Sequence, residues 1–203
     1  MKFALFREYR NIRSFFTRYI TFLKDVVGDT HLDVSCGFGT IPFLIACCWP
    51  NTKVIGIEVD KKMISWGKAR YGHLPNLKLL KCGIDELEIK VGSISCINVL
   101  HHADDHINVL EHIRRLLKRR GRVFIREFVR VKDGEMRRIY ENTVKEYRKY
   151  GVRLCGDVAN FDIWYKIHSR WSERELRCLL GKFFKPLAIR CFGHDFYFVG
   201  EKR

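Results

Sequence analysis

A glycine-containing loop, followed at a distance by an acidic residue, is the part of this sequence best suited to bind a nucleoside. The loop reads DVSCGFG over residues 33–39 and lies between an apolar run and a helical pattern. Glu58 lies 58 − 37 = 21 residues beyond Gly37, at the end of the next apolar run. Glycines let the backbone approach a ligand closely, and an acid about 20 residues further on accepts hydrogen bonds from ribose hydroxyls. Together these features predict a nucleoside-binding loop.

Two neighbouring residues indicate which kind of nucleoside would bind. A dinucleotide-binding loop has a third glycine and a free helix N-terminus for the pyrophosphate, but here that position is Pro42, which removes one N–H donor. Asp33, the first residue of this segment, would repel a phosphate but suits a ligand with an ammonium group. The loop therefore favours a nucleoside that carries an amino acid over NAD.

Alternating apolar runs and helical patterns must position this loop. Five apolar runs are typical of strands: residues 31–35, 53–57, 77–80, 94–100 and 122–129. Helical patterns lie between or before them: residues 12–27, 41–48, 61–71 and 105–118. This alternation predicts an α/β fold with a parallel sheet and helices on both faces.

The C-terminal part has a different pattern. A polar helix is predicted over residues 133–150, and a capping-box pattern at Ser172 opens a shorter helix. Runs at residues 187–192 and 196–201, separated by Gly193-His194, predict a closing antiparallel hairpin. The complete sheet would then have seven strands.

The chain is predicted to be one domain over residues 1–203, because it has no repeat and no Pro/Gly/Ser-rich linker. We expect four segments within it. They are an N-terminal helical segment (1–29), a cofactor-binding core (30–130), a substrate lid (131–171) and a C-terminal helix with a hairpin (172–203).

Several segments resemble the motifs of class I S-adenosylmethionine-dependent methyltransferases. Residues 32–39 (LDVSCGFG) resemble the family's first motif, residues 54–64 (VIGIEVDKKMI) its second and residues 98–105 (NVLHHADD) its fourth. The similarity covers roughly residues 30–130. It implies a Rossmann-like, doubly wound, seven-stranded mixed sheet, parallel except for a reversed last strand, and S-adenosyl-L-methionine as the cofactor.

The resemblance also implies roles for individual residues. Gly37 and Gly39 would let the backbone approach the methionine portion of the cofactor, Asp33 would interact with its ammonium group, and Glu58 would take the ribose diol. The cofactor-binding set that the resemblance implies is Asp33, Ser35, Cys36, Gly37, Gly39, Glu58, Val59, Asp85 and Asn98.

Two assignments in this set concern the adenine. Val59 would pack against the ring and Asp85 would contact its amine. The family often has an acid directly after the third-motif glycine, where this chain has Ile84 and then Asp85. A turn or helix-cap role for Asp85 is the alternative. For the cofactor's carboxylate, Tyr19 and Arg18 are the candidates.

Three polar residues close to the end of the fourth predicted strand are the catalytic candidates: Asn98, His101 and His102. Ligands bind at the carboxyl edge of open α/β sheets, so one histidine could orient or deprotonate the methyl acceptor. Packing or a hydrogen bond to the cofactor is the alternative role. No Cys/His grouping has zinc-site spacing, and no metal is expected.

The methyl acceptor is the part of the function that the sequence determines least. The chain has 38 Lys and Arg against 23 Asp and Glu, a net charge of +15, and basic residues are dense over residues 114–149. A small molecule held under the lid by Tyr140, Trp164 and Tyr165 is one interpretation. RNA, such as tRNA, or a protein docked on the basic face is another, and a non-catalytic nucleotide- or nucleic-acid-binding protein is a third.

No apolar run approaches the ~20 residues that span a bilayer, and the basic N-terminal segment lacks the apolar stretch of a secretory signal. We therefore expect a cytoplasmic protein without a membrane partner. The oligomeric state is not indicated.

Overall fold

Seven strands form one mixed sheet in a computed structural model that describes residues 2–154 and 156–203. The order across the sheet is β3-β2-β1-β4-β5-β7-β6, and β7 runs antiparallel to both of its neighbours. This confirms the predicted doubly wound sheet with a reversed last strand. The strands are β1 (Thr30–Val34), β2 (Lys53–Glu58), β3 (Leu77–Lys81), β4 (Val91–Ile97), β5 (Leu117–Phe128), β6 (Phe184–Phe192) and β7 (Asp195–Lys202).

Eight α-helices are described around this sheet. They are α1 (Lys2–Ser14), α2 (Ile20–Leu23), α3 (Thr40–Cys48), α4 (Lys61–Tyr71), α5 (His106–Leu116), α6 (Asp133–Lys149), α7 (Phe161–His168) and α8 (Glu173–Phe183). A π-helical turn, Phe15–Tyr19, joins α1 to α2, and a 3₁₀ turn, Gly156–Ala159, precedes α7.

The two faces of the sheet have separate apolar cores. One core packs β1, β4 and β5 against α5 and α8, with Ile94 and Leu110 fully buried. The other packs the opposite face against the N-terminal helices, α3 and α4, with Phe15 and Ile45 fully buried. Because a central parallel sheet must be covered on both faces, this layering explains its almost continuous apolar strands.

Side-chain caps begin four of the described helices: α4, α5, α7 and α8. Asp60 accepts hydrogen bonds from the N–H groups of Lys62 and Met63 at the start of α4, and Asp105 accepts from Asn108 at the start of α5. At α8 the Ser172 capping box is present, as its sequence pattern predicted. The caps at α4 and α5 fix the helices that follow β2 and β4.

Several element boundaries differ from the predictions; β5, for example, begins at Leu117 and not at residue 122. The strand predicted to end at residue 100 ends at Ile97, because Asn98 adopts a left-handed conformation with φ of 59°. The N-terminal helix, predicted from residue 12, begins at Lys2. Its apolar residues pack in a third core with α6 and α7, including Phe6, Tyr147 and Trp164.

Candidate functional site

A cleft of about 1060 Å³ opens at the carboxyl ends of β1, β2, β4 and β5. It is roofed by α1 on one side and by α6 and α7 on the other, and residues from all these elements line it. Small-ligand pockets are typically about 300–1,000 Å³. This cleft therefore has room for a nucleoside together with a second small molecule.

The loop after β1 forms one wall of the cleft. Ser35, Gly37 and Gly39 have φ values of 53°, 56° and 76°. A Cβ on Gly39 would lie 2.9 Å from Leu79, so this glycine serves close packing as well as the turn. No atom lies within 4 Å of a Cβ position on Gly37, which lines the cleft. The backbone at Gly37 is therefore open to a ligand.

Glu58 is fixed at the tip of β2. Its Oε2 accepts a hydrogen bond from the Gly37 N–H at 2.9 Å, and its Oε1 accepts from the N–H groups of Val59 and Asp60 at 2.8 and 3.0 Å. The side chain lines the cleft. Three backbone donors stabilise the charged carboxylate, which keeps lone pairs for the hydroxyls of a sugar.

Asp33 lies beneath the same loop and is buried. Its carboxylate accepts a hydrogen bond from the Ser95 hydroxyl and faces a smaller cavity of about 100 Å³ beside Cys36 and Arg7. Burial and, to a smaller extent, the nearby Glu58 charge raise the pKa of Asp33 to about 7, against the lowering effect of the Ser95 hydrogen bond. A cation in the small cavity would favour the ionised carboxylate.

The other wall contains a charged network around Arg126, at the end of β5. The Arg126 guanidinium donates to the Asn98 side-chain oxygen and to Asp195, and Arg18 donates to Asp195 and to the Tyr197 hydroxyl. Arg126 also lies over the Phe128 ring, with 3.9 Å from its guanidinium carbon to the ring centre. The network fixes the side chain of Asn98 at the cleft.

A buried acid–histidine pair lies next to this network. The Nδ1 of His101 is 2.5 Å from Oε2 of Glu127, and Glu127 also accepts from the N–H groups of Val99 and Leu100 at 2.9 and 2.7 Å. Burial alone would raise the pKa of Glu127, but His101, the Leu100 N–H and Arg126 lower it below its usual range. Glu127 is therefore ionised and directs Nδ1–H of His101 toward itself.

Aromatic rings surround this pair at the end of the cleft under α7. His168 stacks on Trp164 with ring centres 4.5 Å apart and lies 5.0 Å from the His101 ring. Its Nδ1 is 2.8 Å from the Trp164 carbonyl oxygen, and burial lowers its pKa to about 3. Phe128 lies 4.7 Å from His168, and together these rings form a largely apolar end wall.

The helix α1 covers the opposite side, which the sequence did not predict. Phe3, Arg7 and Asn11 line the cleft beside Gly37. The buried Glu8 accepts hydrogen bonds from the Tyr71 hydroxyl at 2.5 Å and from Arg70 Nε at 2.8 Å, which ties α1 to α4.

The structure brings most of the predicted site residues together at this cleft. Those that line it or the smaller cavity beside it are Asp33, Ser35, Cys36, Gly37, Glu58, Asn98, His101, His102 and Trp164, together with Arg18 and Tyr19.

Five predicted residues lie away from the cleft wall, and one of them, Gly39, packs against Leu79. Val59 is 64% exposed beside Glu58, and Asp85 is exposed in the loop after β3. Tyr140 donates to the Val158 carbonyl inside the lid, and Tyr165 donates to Asp133 on its outer side. Tyr140 and Tyr165 therefore join α6 to the 3₁₀ turn and to α7 in this structure.

Sequence reasoning missed Glu127, Arg7 and Asp195. Glu127 is 26 residues from His101, and Asp195 is 69 residues from Arg126, so no local spacing joins them. The usable signal was the charged pair Arg126-Glu127 at the end of an otherwise apolar strand, since charged residues are rarely buried without a partner.

The described residues contain neither a group of side chains suited to a metal ion nor a helix suited to span a membrane. Within residues 2–154 and 156–203, no group of three or more His, Cys, Asp and Glu side chains could hold a metal ion. None of the helices in this part of the chain is long and apolar enough to cross a membrane.

Residues 32–123 match a family model described as a methyltransferase domain. This segment contains the loop, Glu58 and His101. Residues 32–123 therefore carry a methyltransferase domain. The match agrees with the motif resemblance, which implied an enzyme with S-adenosylmethionine as its cofactor.

Solved structures with the same fold cover nearly the whole methyltransferase chain. The PH0226 protein of Pyrococcus horikoshii has a TM-score of 0.67 at 17% identity, covering 96% of this chain and 91% of that one. A SAM-dependent methyltransferase of Aquifex aeolicus has a TM-score of 0.61 at 18% identity, covering 90% and 88%. The N-methyltransferase NodS of Bradyrhizobium japonicum has 0.58 at 12%, covering 97% and 94%. No curated protein matches the sequence.

Proposed function

We propose that this methyltransferase transfers the methyl group to a hydroxyl or amine of a small-molecule acceptor that binds under the lid. The observation that carries the proposal is the Glu127–His101 pair at the cleft wall, within a pocket closed by α1, α6 and α7. RNA or protein is the alternative acceptor class.

The residues of the cleft fit the proposed cofactor. Glu58 offers acceptor lone pairs for the two ribose hydroxyls, and Gly37 leaves space for close approach. Asp33 faces the small cavity as the partner of an ammonium group, with Arg7 beside it as the partner of a carboxylate. We favour Arg7 for that carboxylate over Arg18 because Arg18 already pairs with Asp195.

When bound, S-adenosylmethionine supplies a methyl group that is already activated for attack. The task of the protein is then to place the acceptor in line and to exclude water, and such placement can lower a barrier by roughly 7–11 kcal/mol. The helices α1, α6 and α7 exclude water, and the rings of Phe128, Trp164 and His168 provide an apolar surface for the acceptor.

His101 is the proposed general base. Because Glu127 receives the Nδ1–H, the lone pair of the neutral imidazole is on Nε2. A hydroxyl or amine that loses its proton to Nε2 becomes the better nucleophile, and Glu127 then stabilises the imidazolium that forms. This assignment makes His101 the catalytic residue and Glu127 its positioning residue.

The densest run of basic residues lies away from the cleft, whereas Lys145 and Lys149 of α6 line it. Arg114, Arg115, Lys118, Arg119, Arg120 and Arg122 lie near the amino end of β5, whereas the cleft is at its carboxyl end. Arg122 and Phe128 are six positions apart, which at about 3.3 Å per residue is roughly 20 Å. These residues therefore do not line the entrance to the cleft.

The test uses labelled S-adenosylmethionine with the full chain. We expect transfer of label to a fraction of a metabolite extract, and loss of that transfer in His101→Ala. The matched control is His112→Ala, because His112 lies on α5 outside the cleft lining. Label that appears only in RNA or protein would overturn the small-molecule proposal and support the alternative.

A further inference from the structure

A chain of buried polar side chains links β1 to β4 beneath the cleft. His31 Nδ1 is 2.9 Å from the Ser93 hydroxyl, and His31 Nε2 is 2.9 Å from the Ser95 hydroxyl, which donates to Asp33. His31 and both serines have no exposed surface. His31 pairs with Ser93, and Asp33 pairs with Ser95, in the parallel register. Residues two apart on a strand share a face, which places all four side chains together.

The hydrogen atoms shared by these four side chains can be placed in two ways. Burial lowers the pKa of His31 to about 3, so the ring is neutral, with one donor and one acceptor nitrogen. If Ser95 donates to an ionised Asp33, Ser95 must accept from Nε2–H, and Nδ1 must accept from Ser93.

The reverse arrangement requires one proton more. Nδ1–H then donates to Ser93, whose hydroxyl donates to the Thr30 carbonyl 3.3 Å away. Ser95 donates to Nε2, so Asp33 must itself be protonated to donate to Ser95. The two arrangements differ only in the His31 tautomer, the hydroxyl directions and one solvent-derived proton on Asp33.

We propose that His31 is a positioning residue for cofactor binding. In its Nε2–H tautomer, His31 holds the Ser95 hydroxyl as a donor to ionised Asp33. Its Nδ1–H tautomer is present when Asp33 is protonated. The inference rests on the proposed contact between Asp33 and the cofactor's ammonium group. Cofactor binding would then select the Nε2–H tautomer.

The groups around Asp33 raise its pKa, so the change between the two arrangements occurs near neutral pH. Glu58 of β2, Cys36 of the loop and Cys96 of β4 face it, and Arg7 of α1 lies across the small cavity. Burial and Glu58 together raise the pKa of Asp33 to about 7. Below that pH the carboxyl must lose a proton before it pairs with an ammonium group, so cofactor affinity should rise as the pH increases toward 7.

Nitrogen-15 NMR of the His31 ring tests the tautomer directly in the unaltered protein. Between pH 5.5 and 8.5, we expect the protonated nitrogen to change from Nδ1 to Nε2, with no imidazolium signal. Saturating S-adenosylhomocysteine, which carries the same ammonium group, should lower the midpoint of the change. One unchanging tautomer over the whole range, with and without this compound, would overturn the proposal.

Calorimetric titration with S-adenosylhomocysteine tests the effect on binding. In Ser95→Ala, Asp33 loses its donor, so the midpoint of the affinity–pH curve should rise by about one unit, and the affinity at pH 6.5 should fall about tenfold. Ser95→Thr keeps the hydroxyl and should restore the native curve. An affinity–pH curve in a folded Ser95→Ala variant that matches the native curve would refute the proposed role of the His31–Ser95–Asp33 hydrogen bonds. Absence of binding at every pH in the native protein would refute the proposed cofactor site.

Discussion

Glu58 is held by three backbone donors before any ligand binds, which fixes its carboxylate in the proposed cofactor site. In Glu58→Ala, both ribose hydroxyls would lose a charged acceptor, at roughly 1.5–3 kcal/mol for each hydrogen bond. We expect the affinity for S-adenosylhomocysteine, measured by calorimetry, to fall by about 100-fold or more. Glu88→Ala, at an exposed position outside the cleft lining, is the control. Equal affinity of both variants would remove Glu58 from the site.

Glu127 should influence the chemical step without affecting cofactor binding. In Glu127→Gln, the amide NH₂ can donate to Nδ1 of His101, which moves the ring proton to Nε2 and blocks proton abstraction. We expect kcat to fall by roughly 10²–10⁴-fold, since that is the usual contribution of a positioned base. Steady-state kinetics with the acceptor found in the extract would measure it, and S-adenosylhomocysteine affinity should stay native. An unchanged kcat would exclude His101 as the base.

At the residue scale, the sequence predicted which side chains would meet only where those residues are close in the chain. The Gly37 loop and Glu58 lie at a spacing that one βαβ unit imposes, so the spacing carries information. The partners of His101 and Arg126 come from other strands, and only the fold makes them neighbours. For the same reason Arg7 on α1, outside the segment with motif resemblance, had no visible signal.

At the scale of elements, α1 covers one side of the cleft in which the cofactor is proposed to bind. Its basic residues obscured its apolar positions, so the prediction began at residue 12, although Phe6 is buried against Tyr147 with ring centres 4.8 Å apart. The helices α3 and α4 were predictable almost to the residue, because each lies between two predicted strands that bound it.

The Glu8 contact to Tyr71 and Arg70 provides a test of α1 as a cover. Glu8→Ala leaves the buried Tyr71 hydroxyl without its partner, which costs about 1–3 kcal/mol. We expect faster amide hydrogen exchange over residues 2–14 and several-fold weaker binding of S-adenosylhomocysteine, since Arg7 and Asn11 lie on the same helix.

The control for this change is Glu173→Ala. Glu173 pairs with Arg177 on the exposed face of α8, and such surface pairs contribute about 0.5 kcal/mol or less. Native exchange over residues 2–14 in Glu8→Ala would show that α1 is held by its apolar contacts alone.

At the scale of the whole molecule, buried neutral histidines connect stability to pH. Burial lowers the pKa of His31 and His168 to about 3 and that of His194 to about 4. Each contributes stability that is complete above the unfolded pKa of about 6.5 and is lost as the pH falls through the folded value. Asp33 acts in the opposite direction: its raised pKa of about 7 gives stability that is lost as the pH rises from about 4 to 7.

Between pH 6 and pH 4 the unfolded chain therefore binds three more protons at the histidines and one fewer at Asp33, a difference of 3 − 1 = 2. At about 1.4 kcal/mol per proton and pH unit, these groups lower the free energy of unfolding by about 2–3 kcal/mol for each unit of acidification. Urea unfolding at pH 6.0, 5.0 and 4.5 would measure this slope. His168→Phe removes one proton and should halve it, and a flat profile in the native protein would show that these histidines are protonated in the folded state.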